Sequence, residues 1–267
     1  MSDFLQSMAT SSAARAAALA NIRVATAPPP LPLKLGRFDV IAEIKQRSPA
    51  EGELATPQNA RGAQARRYAI GGAAAISVLT EPSRFAGSLQ HLAEVVSAVP
   101  DTPVMRKDFL VAPLQVVEAR SAGASGVLLI ATMLGDAQLR GMLDCAFEHG
   151  MFVLLETFDA TDLARVARLL ETARYQDFAA RGALLVGVNT RNLRSLEVDA
   201  TRLEQLAALL PDAKCVAESG LRSAHDAAAV AALGYHLALV GTALMRSADP
   251  AALVADMVAA GSARIAA

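Results

Sequence analysis

Gly126-Val127-Leu128-Leu129-Ile130 and Phe152-Val153-Leu154-Leu155 are two apolar runs with no polar alternation. Between them lies a stretch in which Ala, Leu and Met recur and which ends at Gly150. A strand that alternates is half exposed; one that does not is buried on both faces, as in a parallel sheet covered by helices. The same unit recurs on either side of this pair. Further strands are expected at Val40–Glu43, Ala75–Leu79, Pro103–Arg106, Leu184–Val188, Cys215–Ala217 and Leu237–Val240. Gly72, Gly123, Gly150 and Gly234 precede strands, where a left-handed residue ends the helix before. An open doubly wound sheet is the competing arrangement, but eight such regular units in 267 residues argue for closure. The expected fold class is α/β, a (β/α)8 TIM barrel with a short N-terminal helical extension.

The ends of the chain read differently. An Ala-rich segment from Phe4 to about Ala25 should be helical, and Pro28-Pro29-Pro30-Leu31-Pro32 should make a stiff extended connector. This divides the chain into an extension and Pro-rich connector, 1–36, and a barrel catalytic domain, 37–267. The segment 159–182 is longer than one helix needs, and Arg174-Tyr175-Gln176-Asp177-Phe178 looks inserted. With 25 Lys+Arg against 26 Asp+Glu there is no basic excess to hold nucleic acid. No apolar run is long enough for a membrane span, and Met1-Ser2-Asp3-Phe4 lacks the charged and apolar regions of a secretory signal, so none is expected. Cys145 and Cys215 are expected as reduced thiols in a cytoplasmic protein, and a monomer or weak homodimer is expected. His91, His149, His225 and His236 match no metal-ligand spacing, so no metal is expected.

In such a barrel the chemistry sits at the C-terminal ends of the strands. Polar residues gather there: Glu43 and Lys45 after the first strand, Lys107-Asp108 after the third, Glu156 after the fifth. Asn189 and Arg191 follow the sixth, Glu218-Ser219-Gly220 the seventh, and Gly241-Thr242 the eighth. For any one of them the bland explanation is a solvated or ion-paired strand end. Their convergence on one mouth favours function. Ser219-Gly220 and Gly241-Thr242 each lead into a helix, and small residues at a helix N-terminus suit a phosphate. Glu43, Lys45, Lys107 and Glu156 form a charged set suited to acid-base work.

These strings together are specific. Ile41-Ala42-Glu43-Ile44-Lys45-Gln46-Arg47-Ser48-Pro49 resembles the signature of the indole-3-glycerol phosphate synthase family. So do Ile76–Glu81, Arg106-Lys107-Asp108-Phe109-Leu110, Gly187-Val188-Asn189-Thr190-Arg191-Asn192-Leu193, Ala217-Glu218-Ser219-Gly220 and Val240-Gly241-Thr242-Ala243-Leu244-Met245. The resemblance runs in order from about residue 40 to 247. It implies conversion of 1-(2-carboxyphenylamino)-1-deoxyribulose 5-phosphate to indole-3-glycerol phosphate, carbon dioxide and water, without metal or organic cofactor. It implies Lys107 as the acid for ring closure, and Lys45 with Glu43 and Glu156 for dehydration. Asn189 and Glu218 complete the catalytic set; Ser48, Arg191, Ser219, Gly220, Gly241 and Thr242 would hold substrate and phosphate. The chain departs from the family at Ala50-Glu51, where a hydroxyl and a basic residue are usual. That departure leaves open a paralogue with an altered anthranilate-type substrate. Other competing functions are a sister phosphate-binding barrel isomerase, a Schiff-base aldolase using Lys107, and a non-catalytic subunit.

Overall fold

Eight parallel strands close into a barrel: β1 (Asp39–Ile44), β2 (Ala75–Leu79), β3 (Val104–Lys107), β4 (Gly126–Ile130), β5 (Phe152–Thr157), β6 (Leu184–Asn189), β7 (Lys214–Glu218) and β8 (Leu237–Val240). Closure is visible at β1, where Ile41 registers with Leu239 of β8 on one side and Ala75 of β2 on the other. The computed structural model describes residues 3–19, 27–48, 52–54, 60–191, 198–199 and 201–265. Pro49, Ala50, Glu51, Asn192 and Leu193 of the motifs above lie outside the described residues.

The strands are buried almost throughout, in keeping with their unbroken apolar runs. Gly72, Gly123, Gly150 and Gly234 all have positive φ where helices end. Residues in register on neighbouring parallel strands share a face. Following the register, Glu43 shares its face with Ser77, Lys107 with Leu79, Ile130 with Glu156, Glu156 with Gly187, Asn189 with Glu218, and Glu218 with Leu239. This is the inner face. Its lower part is apolar, with the Phe152 ring filling the space left by Gly126. Its upper part carries the charged residues.

The N-terminal helix spans Asp3–Ala17 and is thus shorter than the expected run to Ala25; residues 20–26 lie outside the described ones. It docks on the unit after β3. Phe4 meets Phe109 edge to face at 5.8 Å, Gln115 Nε2 donates to Ser12 Oγ at 2.9 Å, and Leu5 and Met8 are buried. Arg15 grips Asp108 through two hydrogen bonds of 2.8 and 2.9 Å. The connector is tied to the barrel by Arg120, which donates to the carbonyls of Ala27 and Pro28, and by Leu31 N–H donating to Ser125 Oγ at 3.0 Å. The inserted piece is a helix, Ala173–Ala180, within the outer layer; Phe178 stacks on Phe147 and Tyr175 donates to Asp144. Among the described residues no helix is long and apolar enough to cross a membrane. Both cysteines are free, Cys215 buried and Cys145 only half-buried.

Asp108 is a buried hub. Beyond Arg15 it accepts from Thr80 Oγ1 at 2.8 Å, Arg106 at 3.0 Å and its neighbour Phe109 N–H at 2.8 Å. Burial pushes its carboxyl up, but Arg15, Arg106 and Thr80 outweigh this and hold it below the usual Asp value. Replacing it takes the charged acceptor from Arg15 and from the buried Arg106, which keeps Glu118, so Asp108→Asn should destabilise the fold by roughly 3 kcal/mol. A lowered folded pKa contributes stability that is complete above the unfolded value and is lost as pH falls towards the folded one. Urea unfolding of both proteins across pH should therefore show the difference shrinking below about pH 4. A gap that persists undiminished into acid would mean that the ionised carboxylate is not its source.

Candidate active site

The mouth is organised around Lys107 at the end of β3. Its Nζ lies 3.2 Å from Glu156 Oε2 on β5 and 3.7 Å from Glu218 Oε2 on β7. A second pair sits beside it: Lys45 Nζ is 2.7 Å from Glu43 Oε1. Asn189, ending β6, links the charged set to the glycine-containing loops. Its amide donates to Glu156 Oε1 at 3.2 Å, and its Oδ1 accepts from Ser219 Oγ and from Arg191 N–H, both at 2.9 Å.

Burial pushes Glu43 up, but Lys45, Lys107 and Arg191 outweigh it and hold the carboxyl below its ordinary value. Burial pushes Lys107 down, but Glu156, Glu218 and Glu43 overcome this and raise it well above an ordinary lysine. The neighbours thus hold the proton on Lys107. Burial, and then Glu156, push Glu218 well above the usual carboxylate range.

The glycine-containing ends differ from one another. Ser219 and Gly220 both have positive φ, at 71° and 83°, which turns the chain sharply after β7. The helix that follows, Ala224–Ala232, is closed by its own capping box. Asp226 accepts from Arg222 N–H and Ser223 N–H, and Ser223 Oγ caps Asp226 N–H. Asp226 thus occupies the amides of Arg222 and Ser223, just ahead of this helix. After β8, Gly241 precedes the short helix Thr242–Arg246 with no side chain capping its amides. Gly241 also abuts the charged set: a Cβ there would lie 2.4 Å from Glu43 Oε1 and 2.9 Å from Lys45 Nζ.

Glu43, Lys45, Lys107, Glu156, Asn189, Arg191, Glu218, Ser219, Gly220, Gly241 and Thr242 all line one cavity of about 1190 Å³. Ser48 belongs to a two-stranded ribbon, Arg47–Ser48 with Gly52–Glu53, above β1. Its side chain is outside the described residues.

The sequence reading missed an apolar wall. Phe85 and Phe109 face each other at 6.1 Å, and with Phe4, Leu79, Leu128 and Ile130 they line the side of the cavity nearest β2–β4. Glu81 builds the loop carrying Phe85 by accepting the amides of Ser83, Arg84 and Phe85. Arg47 of the ribbon donates to the carbonyls of Ser83 and Arg84 in that loop. Glu81 stood in the motif; Phe4 carried no local signal.

Fold and mouth together define a (β/α)8-barrel enzyme with an acid-base centre at the strand ends. The chain belongs to the indole-3-glycerol phosphate synthase family, whose family model matches residues 30–257. An indole-3-glycerol phosphate synthase of Nocardioides sp. is 46% identical over 250 residues, covering 91% of this chain and 90% of the relative. One of Mycobacterium avium is 43% identical over 243 residues, covering 89% and 84%. Among solved structures, 3-hexulose-6-phosphate synthase from Salmonella typhimurium superposes with a TM-score of 0.63 at 17% identity, covering 85% of this chain and 100% of that one. That likeness concerns the fold alone.

Proposed function

We propose that this chain is a carboxy-lyase of tryptophan biosynthesis, converting 1-(2-carboxyphenylamino)-1-deoxyribulose 5-phosphate to indole-3-glycerol phosphate, carbon dioxide and water. The observation that carries the assignment of roles is Lys107 Nζ, held between Glu156 and Glu218 at 3.2 and 3.7 Å in the mouth. The aromatic carbon bearing the carboxylate attacks the ketone carbon, and the ketone oxygen takes a proton. Lys107 is the donor, since its carboxylate neighbours keep it charged until the developing alkoxide draws the proton away. Carbon dioxide then leaves. Lys45, with Glu43 and Glu156, assists departure of the hydroxyl as water. Asn189 sets Glu156 against Lys107 and ties both to the Ser219 loop. The phosphate rests against Ser219, Gly220, Gly241 and Thr242, with Arg191 and Ser48 on the sugar-phosphate chain. The anthranilate ring lies on the wall of Phe4, Phe85 and Phe109.

No step requires an organic cofactor or a metal. One chain supplies every residue of the mouth, and large exposed apolar residues such as Ile70, Leu114 and Leu209 stand on separate elements, which favours a monomer or weak homodimer. We place the protein in the cytoplasm and treat 1–36 as an extension of a catalytic domain, 37–267.

A sister isomerase would want a cysteine or aspartate acid-base pair at the strand ends. Cys145 is on an outer helix with its thiol against Pro113 O, and Cys215 is near the start of β7 with its thiol against the Ala213 carbonyl. Purified protein given the ribulose phosphate substrate should develop indole fluorescence and release carbon dioxide in equal amounts. Turnover only of a ring-substituted analogue would identify a paralogue; no turnover of either would refute the assignment.

A further inference from the structure

Within the mouth the two carboxyls beside Lys107 are not equivalent. Glu156 accepts from both Lys107 and Asn189, each at 3.2 Å. Glu218 is 1% exposed, and neither of its carboxyl oxygens receives a hydrogen bond among the described residues. The Lys107 ammonium stands off at 3.7 Å and is nearer to Glu156. Glu218 Oε1 presses into the space a Cβ would take at Gly187, only 2.0 Å from that position, so the carboxyl lies close against the barrel wall. Facing it are Glu156 from β5, whose carboxyl is within reach to share a proton with it, Lys107 from β3 and, farther off, Glu43 from β1. Asn189 of β6 and Leu239 of β8 share its face and carry no charge. A buried carboxylate needs donors or a cation; Glu218 has no donor among the described residues, and it shares the one ammonium beside it, at 3.7 Å, with the nearer Glu156.

We propose that Glu218 enters the reaction as a neutral carboxylic acid and donates a hydrogen bond to an oxygen of the substrate's sugar chain, while Glu156 remains the ionised partner of Lys107. This rests on the assignment of the mouth given above. An apolar, donor-poor site can keep a carboxylic acid neutral at neutral pH so that it serves as a donor. The direction of the Glu218 shift agrees, burial and Glu156 both favouring the protonated form. The arrangement also helps Lys107: a neutral Glu218 pulls less on its proton than a third carboxylate would. Because a raised carboxyl pKa means that the neutral form is lost as pH rises, activity should decline on the alkaline side as Glu218 ionises.

Difference infrared spectra of the resting protein, wild type minus Glu218→Gln, should show a protonated-carboxyl C=O band at neutral pH. Glutamine is neutral and keeps a donor. Glu218→Gln should therefore hold kcat/KM within about tenfold of wild type and lose the alkaline decline, while Glu218→Ala should fall by on the order of 10²–10³. Absence of the band overturns the proposal. So does a folded Glu218→Gln protein as inactive as Glu218→Ala, or one that keeps the alkaline decline. The band is read without substrate, so its outcome is separate from whether the chain forms an indole product.

Discussion

Lys107→Ala is expected to lower turnover by on the order of 10²–10⁴ while leaving the Michaelis constant little changed. The reason lies in where Lys107 stands. It meets Glu156 and Glu218 at the centre of the mouth and is not among the residues assigned to the phosphate. Removing it takes away the proton that the ketone oxygen needs as it becomes an alkoxide. It does not touch the cradle that binds the substrate's other end. Lys107→Arg separates two explanations. Arginine keeps the positive charge but does not give up its proton near neutral pH. If Lys107 acts as an acid, both variants are slow; if it acts only by charge, arginine restores most of the rate. Single-turnover indole fluorescence reads this directly. Near-normal turnover in Lys107→Ala would remove the residue from the mechanism.

The strands were legible because burial on both faces leaves an unbroken apolar run. Ala75–Leu79, Gly126–Ile130 and Leu237–Val240 begin and end where the residues suggested. Charged residues at several strand ends pointed to one mouth, and Glu43, Lys107, Glu156 and Glu218 line it, whereas Arg106, which ends the third expected run, turns to the helical layer and donates to Gln115 O and Glu118. What was not legible depends on contacts far apart in sequence. Phe4 joins Phe109 across the chain, and Arg15 reaches Asp108 over 93 positions. Neither leaves a periodic or motif-like trace. The N-terminal helix also looked longer than it is, since alanine favours helix without marking its end. Electrostatic direction was hidden for a different reason. The residues present suggested mutual tuning, but only distances decide that Lys107 is held protonated rather than driven towards the free amine. At the seventh strand the Ser-Gly pair looked like a helix opening to an anion. Asp226 takes the amides of Arg222 and Ser223 ahead of that helix, a pairing the residues alone did not show.

Gly241 gives the second large effect, and its cause differs from the one its motif suggests. As a glycine beside a helix start it reads as a phosphate contact alone, so that a side chain there would raise only the Michaelis constant. The geometry couples it to the chemistry as well. A Cβ at this position would stand 2.4 Å from Glu43 Oε1 and 2.9 Å from Lys45 Nζ. Gly241 has φ of −119°, so alanine brings no left-handed strain. The colliding atoms are the ends of flexible side chains, so the fold should survive while the Glu43–Lys45 pair moves aside. Displacing catalytic groups by about 1 Å can cost on the order of 10² in rate. Gly241→Ala should therefore lower kcat by about that factor and also raise KM, with thermal unfolding close to wild type. The decisive comparison is the split between the two constants. A rise in KM with unchanged kcat would confine Gly241 to the phosphate. A fall in kcat alone would move the phosphate elsewhere and leave Gly241 as the space that lets Lys45 meet Glu43.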